Sequence, residues 1–365
     1  MSLLPRSGFV QHAVQVTASL LGRIVGGLML DLDKLTIELS KDGRLGNAAV
    51  TKAVLDPIDS NGLSADFFRL SLSYSKKEHK LPSRMFVKRS RLTDRGLGEA
   101  QVYSKILNTA EGLPTMNCYG IVDDDPAKGL LLLFEDLSDS HRQTDWPIIP
   151  CLNDCHGAVT ALARIHANWW GRVQSLPAIV PPIVAHQDPV HLSKFFAEFV
   201  DYVGEYLSPR RIAEYEKVLS GLGDLIDRQL TTENTTLLHN DPHYWNFLYP
   251  NSGKSEDCVV FDWPLWRTGL GGSDLAYLIA LHLYPEHRRR FESSMLDRYS
   301  TVLSEQGVHY GRDQVQFDYR VGVLIGLLMP IMEFTWKIVT YDWIPKLEKA
   351  FAAFDDLDCQ ELLRV

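Results

Sequence analysis

The chain changes its periodicity once, near Ser138, and that single change narrows the folds open to it more than any other feature. Before it, Val50–Leu55, Phe67–Tyr74 and Arg84–Lys88 are β-rich runs bounded by turn residues. The spacing predicts a helix over Gly98–Thr109, with Glu99, Tyr103 and Ile106/Leu107 on one face. An extended segment near Cys118–Val122 and the apolar run Leu130–Phe134 complete a small antiparallel sheet carrying one helix. Beyond Ser138, Val159, Leu162, Ile165 and Trp169 fall at helical spacing and mark a helix over Leu152–Trp170. Further helices are predicted at Leu192–Tyr206, Arg210–Gln229, Asp274–Leu283, Arg288–Gln306, Val315–Val339 and Ile344–Phe354. One hairpin interrupts them, Phe247–Tyr249 with Cys258–Phe261. Strands first and helices after make an α+β chain. Its 365 residues exceed what one hydrophobic core usually fills, so two lobes are expected, 1–136 and 137–365.

Charge and cysteine content exclude several classes. Lys plus Arg number 37 against 46 Asp plus Glu, a net charge of −9. Phosphate backbones reward clustered positive charge, so this balance argues against a nucleic-acid partner. Five cysteines are too few and too sparse for a disulfide scaffold and fit a reducing, cytoplasmic setting. Cys151 and Cys155, beside His156, lack the further ligands of a zinc finger and read as helix-face neighbours. The longest apolar run, Val321–Met332, contains Pro330 and falls short of the about 20 residues of a membrane span. Near the start of the chain, Val10, Val14, Ala18, Leu21 and Val25 follow the spacing of an amphipathic helix.

The chemistry concentrates in Leu238-His239-Asn240-Asp241-Pro242-His243-Tyr244-Trp245-Asn246 and, after the hairpin, Val260-Phe261-Asp262-Trp263. A hairpin brings its ends together, so Asn246 and Asp262 are expected to meet, with Asp241 on the same loop. Two carboxylates and an amide oxygen form a hard-donor set suited to Mg²⁺, which usually serves substrate phosphates. Lys88 ends a predicted strand and Glu99 opens the next helix. Phosphoryl-transfer enzymes use such a pair to grip the α- and β-phosphates. The pattern H-R-D-x-x-x-x-N followed by D-F-G has counterparts in His239-Asn240-Asp241, Asn246 and Asp262-Trp263, in the same order along the chain.

These residues resemble the aminoglycoside phosphotransferase and choline-kinase-like superfamily, most of all its ecdysteroid-kinase-like branch. The signature H-G-D-x-H-x-x-N is matched by His239, Asp241, His243 and Asn246, with Asn240 in place of the glycine. The metal segment is matched by Phe261-Asp262-Trp263 and Asp274-Leu275-Ala276. Leu133–Ser138 resembles the hinge, Leu162–Ala167 the L-A-x-L-H-A helix, and Gly62-Leu63-Ser64 with Arg69 the phosphate loop and second strand. The resemblance spans about Val50 to Leu283 and implies a two-lobed, protein-kinase-like fold. It implies ATP- and Mg²⁺-dependent transfer of the γ-phosphoryl group to a hydroxyl of a small molecule. Asp241 would be the catalytic base, and Asn246 and Asp262 the Mg²⁺ ligands. Lys88, held by Glu99, would clamp phosphate, while Gly62 and Ser64 cradle it. Backbone groups of Glu135 and Leu137 would meet the adenine, and His239, His243 and Asp274 would support the loop.

Other readings compete. A nucleotide-binding protein without turnover would carry the same residues. His239-x-Asp241-x-His243 also fits a hydrolase's transition-metal site, which needs ligands further along, and the nearest, His282 and His287, lie on or beside a predicted helix. Asp241 and Asn246 could be turn residues, and Asp274 a helix N-cap or first-turn acid. His166 reads as a packed helix histidine, and His287–Arg290 as a solvated helix face. Trp336, Tyr341, Trp343, Phe351 and Phe354 fit either core or an acceptor pocket. Glu333, Asp342, Glu348, Asp355 and Asp356 would suit a cationic acceptor such as an aminoglycoside or amino alcohol; the aromatics beside them would suit a steroid-like alcohol.

Overall fold

The computed structural model describes residues 30–58, 65–90, 94–125, 129–176 and 189–363. The expected helix over Val10–Val25 lies outside them. A helix that the sequence reading did not single out, α1 (Leu32–Ser40), comes first, and the Asp31 carboxylate caps it by accepting from the N–H groups of Asp33 (3.0 Å) and Lys34 (3.1 Å). Then come β1 (Val50–Ile58), β2 (Ala65–Tyr74), β3 (Arg84–Ser90), α2 (Asp94–Lys105), β4 (Cys118–Asp125) and β5 (Gly129–Glu135). The five strands form one antiparallel sheet in the order β1-β2-β3-β5-β4. Leu131 and Leu133 of β5 pack with Leu35 and Leu39 of α1, while Leu132 and Phe134 pack with Val102 and Tyr103 of α2. Both faces are covered, which is why this strand reads as an unbroken apolar run.

After β5 the chain turns at Asp136, whose carboxylate accepts from Arg84 Nε of β3 (2.7 Å) and Arg69 Nε of β2 (3.4 Å). The rest is mainly helical: β6 (His141–Arg142), α3 (Leu152–Trp169), α4 (Pro189–Val203), α5 (Pro209–Gln229), β7 (Thr235–Leu238), β8 (Phe247–Pro250), β9 (Val259–Val260), β10 (Arg267–Leu270), α6 (Gly271–Ile279), α7 (Pro285–Glu305), α8 (Arg312–Gly326), α9 (Met329–Thr335) and α10 (Thr340–Asp356). The expected β8–β9 hairpin forms, with Phe247 opposite Val260. The β7–β10 ladder was not foreseen: its strands are four residues each, and β7 is buried throughout, so neither shows the alternation of a half-buried strand.

Three expectations are corrected. The single helix over Val315–Val339 is two, α8 and α9, because Pro330 at the start of α9 cannot donate into a continuous ladder. Arg288 is buried, 1% exposed, rather than solvated, and it pairs with Glu292 (2.7 Å) and Asp356; Arg289 and Arg290 do face solvent. Cys151 precedes α3 and is exposed, whereas Cys155 inside it is buried, so the two share no helix face. The stretch Arg312–Thr335 passes for a membrane span by length and composition, yet 67% of its most apolar window is buried inside the fold.

One contact sets the position of α6. A Cβ on Gly272 would come within 2.3 Å of the Asp318 carbonyl oxygen on α8, and one on Gly322 of α8 within 2.3 Å of the Gly272 carbonyl oxygen. Two facing glycines let α6 and α8 touch backbone to backbone, which fixes the depth of Asp274 and Tyr277.

Candidate active site

The polar loop begins where β7 ends. His239 is fully buried, and its Nε2 donates to the Phe261 carbonyl (2.9 Å) while its Nδ1 accepts from the Asp241 N–H (3.3 Å). One imidazole therefore ties the loop to the segment carrying Asp262. Asn240 follows at φ +66°, a left-handed conformation that asparagine tolerates better than most side chains. Here Asn240 occupies the backbone shape that a glycine would adopt freely.

Asp274 holds this bend from below. Its carboxylate accepts from the N–H of His239 (2.7 Å), the N–H of Asn240 (2.9 Å) and His166 Nε2 (3.2 Å). His166 completes the brace through Nδ1 and the Tyr299 hydroxyl (2.7 Å). Asp274 does lie in the first turn of α6, but its oxygens serve the loop; Leu270 is the N-cap.

The hairpin delivers what its geometry promised. The Phe261 N–H donates to the Asn246 carbonyl (3.0 Å), so Asn246 and Asp262 flank one junction. Asn246 is 4% exposed and its Nδ2 donates to the Asp241 carbonyl (2.9 Å), which turns its oxygen the other way. Asp262 also has positive φ, +65°, a strain that persists where the surroundings over-determine it. Lys88 supplies part of that constraint: its Nζ lies 2.6 Å from Asp262 Oδ1 and 2.7 Å from Glu99 Oε2. Glu99 accepts in addition from Ser90 Oγ (3.1 Å) and the Trp263 N–H (3.3 Å).

Burial works against the charge on Lys88, yet Asp262 and Glu99 outweigh it and hold its pKa above the ordinary value. Burial also pushes Asp262 up, but Lys88 overrides that and keeps the carboxyl below the usual range. For Glu99 burial wins, and Lys88 offsets only part of the rise. Phe67, Phe86, Met116 and Phe134 wall the cleft around these three groups.

At the hinge, the Glu135 N–H donates to the Asn117 carbonyl (2.9 Å). The Leu137 carbonyl accepts from the amides of Ser140 (3.1 Å) and His141 (2.9 Å). Gly62 and Ser64 lie outside the described residues. His243 Nε2 stands 3.9 Å from Asp241 Oδ2, and burial lowers its pKa despite that carboxylate. Both nitrogens of His239 are engaged within the protein, which removes the metal-hydrolase alternative's first ligand.

Sequence reading missed the other side of Asp241. Tyr277 lies one helical turn beyond Asp274 on α6, a spacing that could have flagged it. Its hydroxyl is raised by burial and by the charges of Asp241 and Glu333. His282 packs 4.8 Å from the Tyr277 ring, and Trp245 stands 6.0 Å from His282. Glu333 and Lys346 form an ion pair between α9 and α10. Trp146 meets Trp245 edge to face and Tyr341 at a tilt, with Trp146 and Tyr341 largely exposed. Of the aromatics left open, Trp343, Phe351 and Phe354 are core, and Trp336 and Tyr341 face solvent. Asp355 and Asp356 are tied to arginines 210, 211, 288 and 289.

The model of the ecdysteroid kinase-like family matches residues 76–311. The chain belongs to that family. The match covers the strand of Lys88, the helix of Glu99, the loop and hairpin, and α6, and it stops short of α8 to α10. Among solved structures, the chain is similar to a choline kinase from Cryptosporidium parvum Iowa II, with 14% identity and a TM-score of 0.54 over 86% of this chain and 90% of that one. It is also similar to a choline/ethanolamine kinase family protein from Mesorhizobium loti, with 14% identity and a TM-score of 0.50 over 91% and 97%. A microcompartment-associated aminopropanol kinase shares 13% identity at a TM-score of 0.51 over 84% and 94%. These likenesses establish the two-lobed, kinase-like fold of this family member. No curated protein sequence matches the chain.

Proposed function

We propose that this ecdysteroid kinase-like protein transfers the γ-phosphoryl group of ATP to a hydroxyl of a small molecule, with Mg²⁺. The observation that carries the reading is Lys88 Nζ, bonded at once to Glu99 on α2 and to Asp262 after the hairpin, 174 residues away in sequence. Such a lysine is poised for the α- and β-phosphates. Residues 1–136 would form the nucleotide lobe, and 137–365 would supply the loop and the acceptor side.

The donor set fits a magnesium ion. Asp262 keeps a second carboxylate oxygen and Asn246 presents its amide oxygen, both hard donors. Among the described residues no three His, Cys, Asp or Glu side chains converge to hold a metal alone, which suits a cation that shares its coordination with substrate phosphates. Bound there, the ion supplies neutralisation of charge between the β- and γ-phosphates. Asp241 orients the acceptor hydroxyl and receives its proton. His239 and Asp274 hold the Asp241 backbone, and Glu99 holds Lys88. The Leu137 N–H, with the Glu135 backbone, meets the base. The free thiols suit a cytoplasmic enzyme.

The test is Mg-ATP turnover in the presence of neutral and cationic alcohols. ADP and phosphorylated alcohol in equal amounts are expected; tight Mg-ATP binding with no product would favour a nucleotide-binding protein without turnover.

A further inference from the structure

We infer that Lys349 is an acylation site, a nucleophilic amine that takes the acyl group of a small thioester. The inference is independent of the phosphotransferase reading and stands whether or not ATP is turned over. Lys349 lies on α10, partly buried, and its Nζ donates to the carbonyl of His282, in the turn between α6 and α7 (3.0 Å). The same Nζ stands 4.5 Å from the centre of the Tyr284 ring. Neither partner carries a negative charge. Lys346, one helical turn earlier, adds a like charge instead. Among the described residues no carboxylate pairs with Lys349 or favours its charge.

Two other lysines withdrawn from solvent show the contrast. Lys88 pairs with Glu99 and Asp262, and Lys346 pairs with Glu333. An ammonium that loses water without gaining an anion is disfavoured, and a neighbouring cation adds to the cost. Burial first, and Lys346 second, accordingly lower the Lys349 pKa to about 8. At pH 7.5 about a quarter of this amine is then unprotonated, against roughly one part in a thousand for an ordinary lysine. The free amine attacks the thioester carbonyl. The C–N bond forms, the C–S bond breaks, and the surplus proton of the amine leaves with the thiol. The product is a neutral amide, so the repulsion with Lys346 ends. Its remaining N–H is a weaker donor to the His282 carbonyl than the ammonium it replaces. The His282 ring packs 4.8 Å from Tyr277 and 6.0 Å from Trp245, so the modification acts on the turn that backs the polar loop.

The experiment incubates the full chain with N,S-diacetylcysteamine, a small neutral thioester, and follows acetylation of each lysine by peptide mass mapping between about pH 6 and pH 10. Lys349 is expected to label about tenfold faster at pH 7.5 than the exposed Lys52 and Lys76. That is less than the ratio of free amines, because a less basic amine is a weaker nucleophile and partial burial hinders the approach. The Lys349 rate should reach half its plateau near the pKa of about 8, while the rates of the exposed lysines keep rising to about pH 10. Labelling of Lys349 at or below the rate of Lys52 and Lys76 overturns the inference. So does a Lys349 rate that climbs to about pH 10 in parallel with theirs, since the amine would then be an ordinary ammonium.

Discussion

The two sides of Asp241 are built differently. On the side proposed for the nucleotide the charged groups are bonded inside the protein, in a chain that runs from Tyr299 through His166, Asp274 and His239 to the Asp262 segment, Lys88 and Glu99. On the side proposed for the acceptor, buried atoms of Glu333, His243 and Trp245 have no protein hydrogen-bond partner. The first side lies within the family match and the second draws on helices beyond it. The charged groups of the first side are tied into one network, although Tyr103 Oη and Trp263 Nε1 beside them lack partners too, and a connected network of this kind holds its members in one arrangement.

The largest effect expected on this contrast comes from Asp262→Ala. It removes a hard donor and one of the two carboxylates bonded to Lys88, which keeps only Glu99, a loss of about 3 kcal/mol. Mg-ATP affinity and turnover should therefore fall together by roughly 10²-fold or more, measured by calorimetry and ADP release. Unchanged affinity in the folded variant would mean that the nucleotide side is not organised around this residue.

Asp274→Ala comes next. It strands the buried amides of His239 and Asn240 and should lower stability by about 3 kcal/mol in urea unfolding, with a drop in kcat as the loop loosens. A loss below about 1 kcal/mol would show that the loop holds itself and that the chain of bonds is incidental.

The smallest effect is at Asn240. Asn240→Gly should change stability by no more than about 0.5 kcal/mol, whereas Asn240→Val, forced to the same positive φ, should cost about 1–2 kcal/mol. Equal effects of glycine and valine would mean that the +66° conformation is not retained.

The same contrast explains what the sequence revealed. Asn246 and Asp262 were readable because a hairpin brings its ends together, and Lys88 and Glu99 because they precede the loop in the order of the phosphoryl-transfer pattern. The left-handed Asn240 was marked by its departure from glycine. Glu333 and Lys346 carried no such signal: they meet only through the tertiary packing of α9 on α10. The fold of α6 was misread at its start for a related reason, since Gly271 and Gly272 open the helix to let it touch α8, and local propensity gives glycine no credit for that. Arg288 looked like part of a solvated basic run because its partner Asp356 is remote in sequence.

The central claim is that Asp241 acts on the acceptor hydroxyl while the nucleotide is held by other residues. Asp241→Asn keeps the size of the side chain and removes its basicity. Phosphoryl transfer depends more on positioning and charge than on proton removal, and general-base help is worth about 10²–10⁴-fold. Mg-ATP titration and single-turnover kinetics on this one variant should therefore give a kcat lowered by about 10²–10⁴-fold with a nucleotide Kd near wild type. A collapse of Mg-ATP binding in the folded variant would contradict the account, because Asp241 would then be a ligand of the nucleotide side and not the base that faces the acceptor.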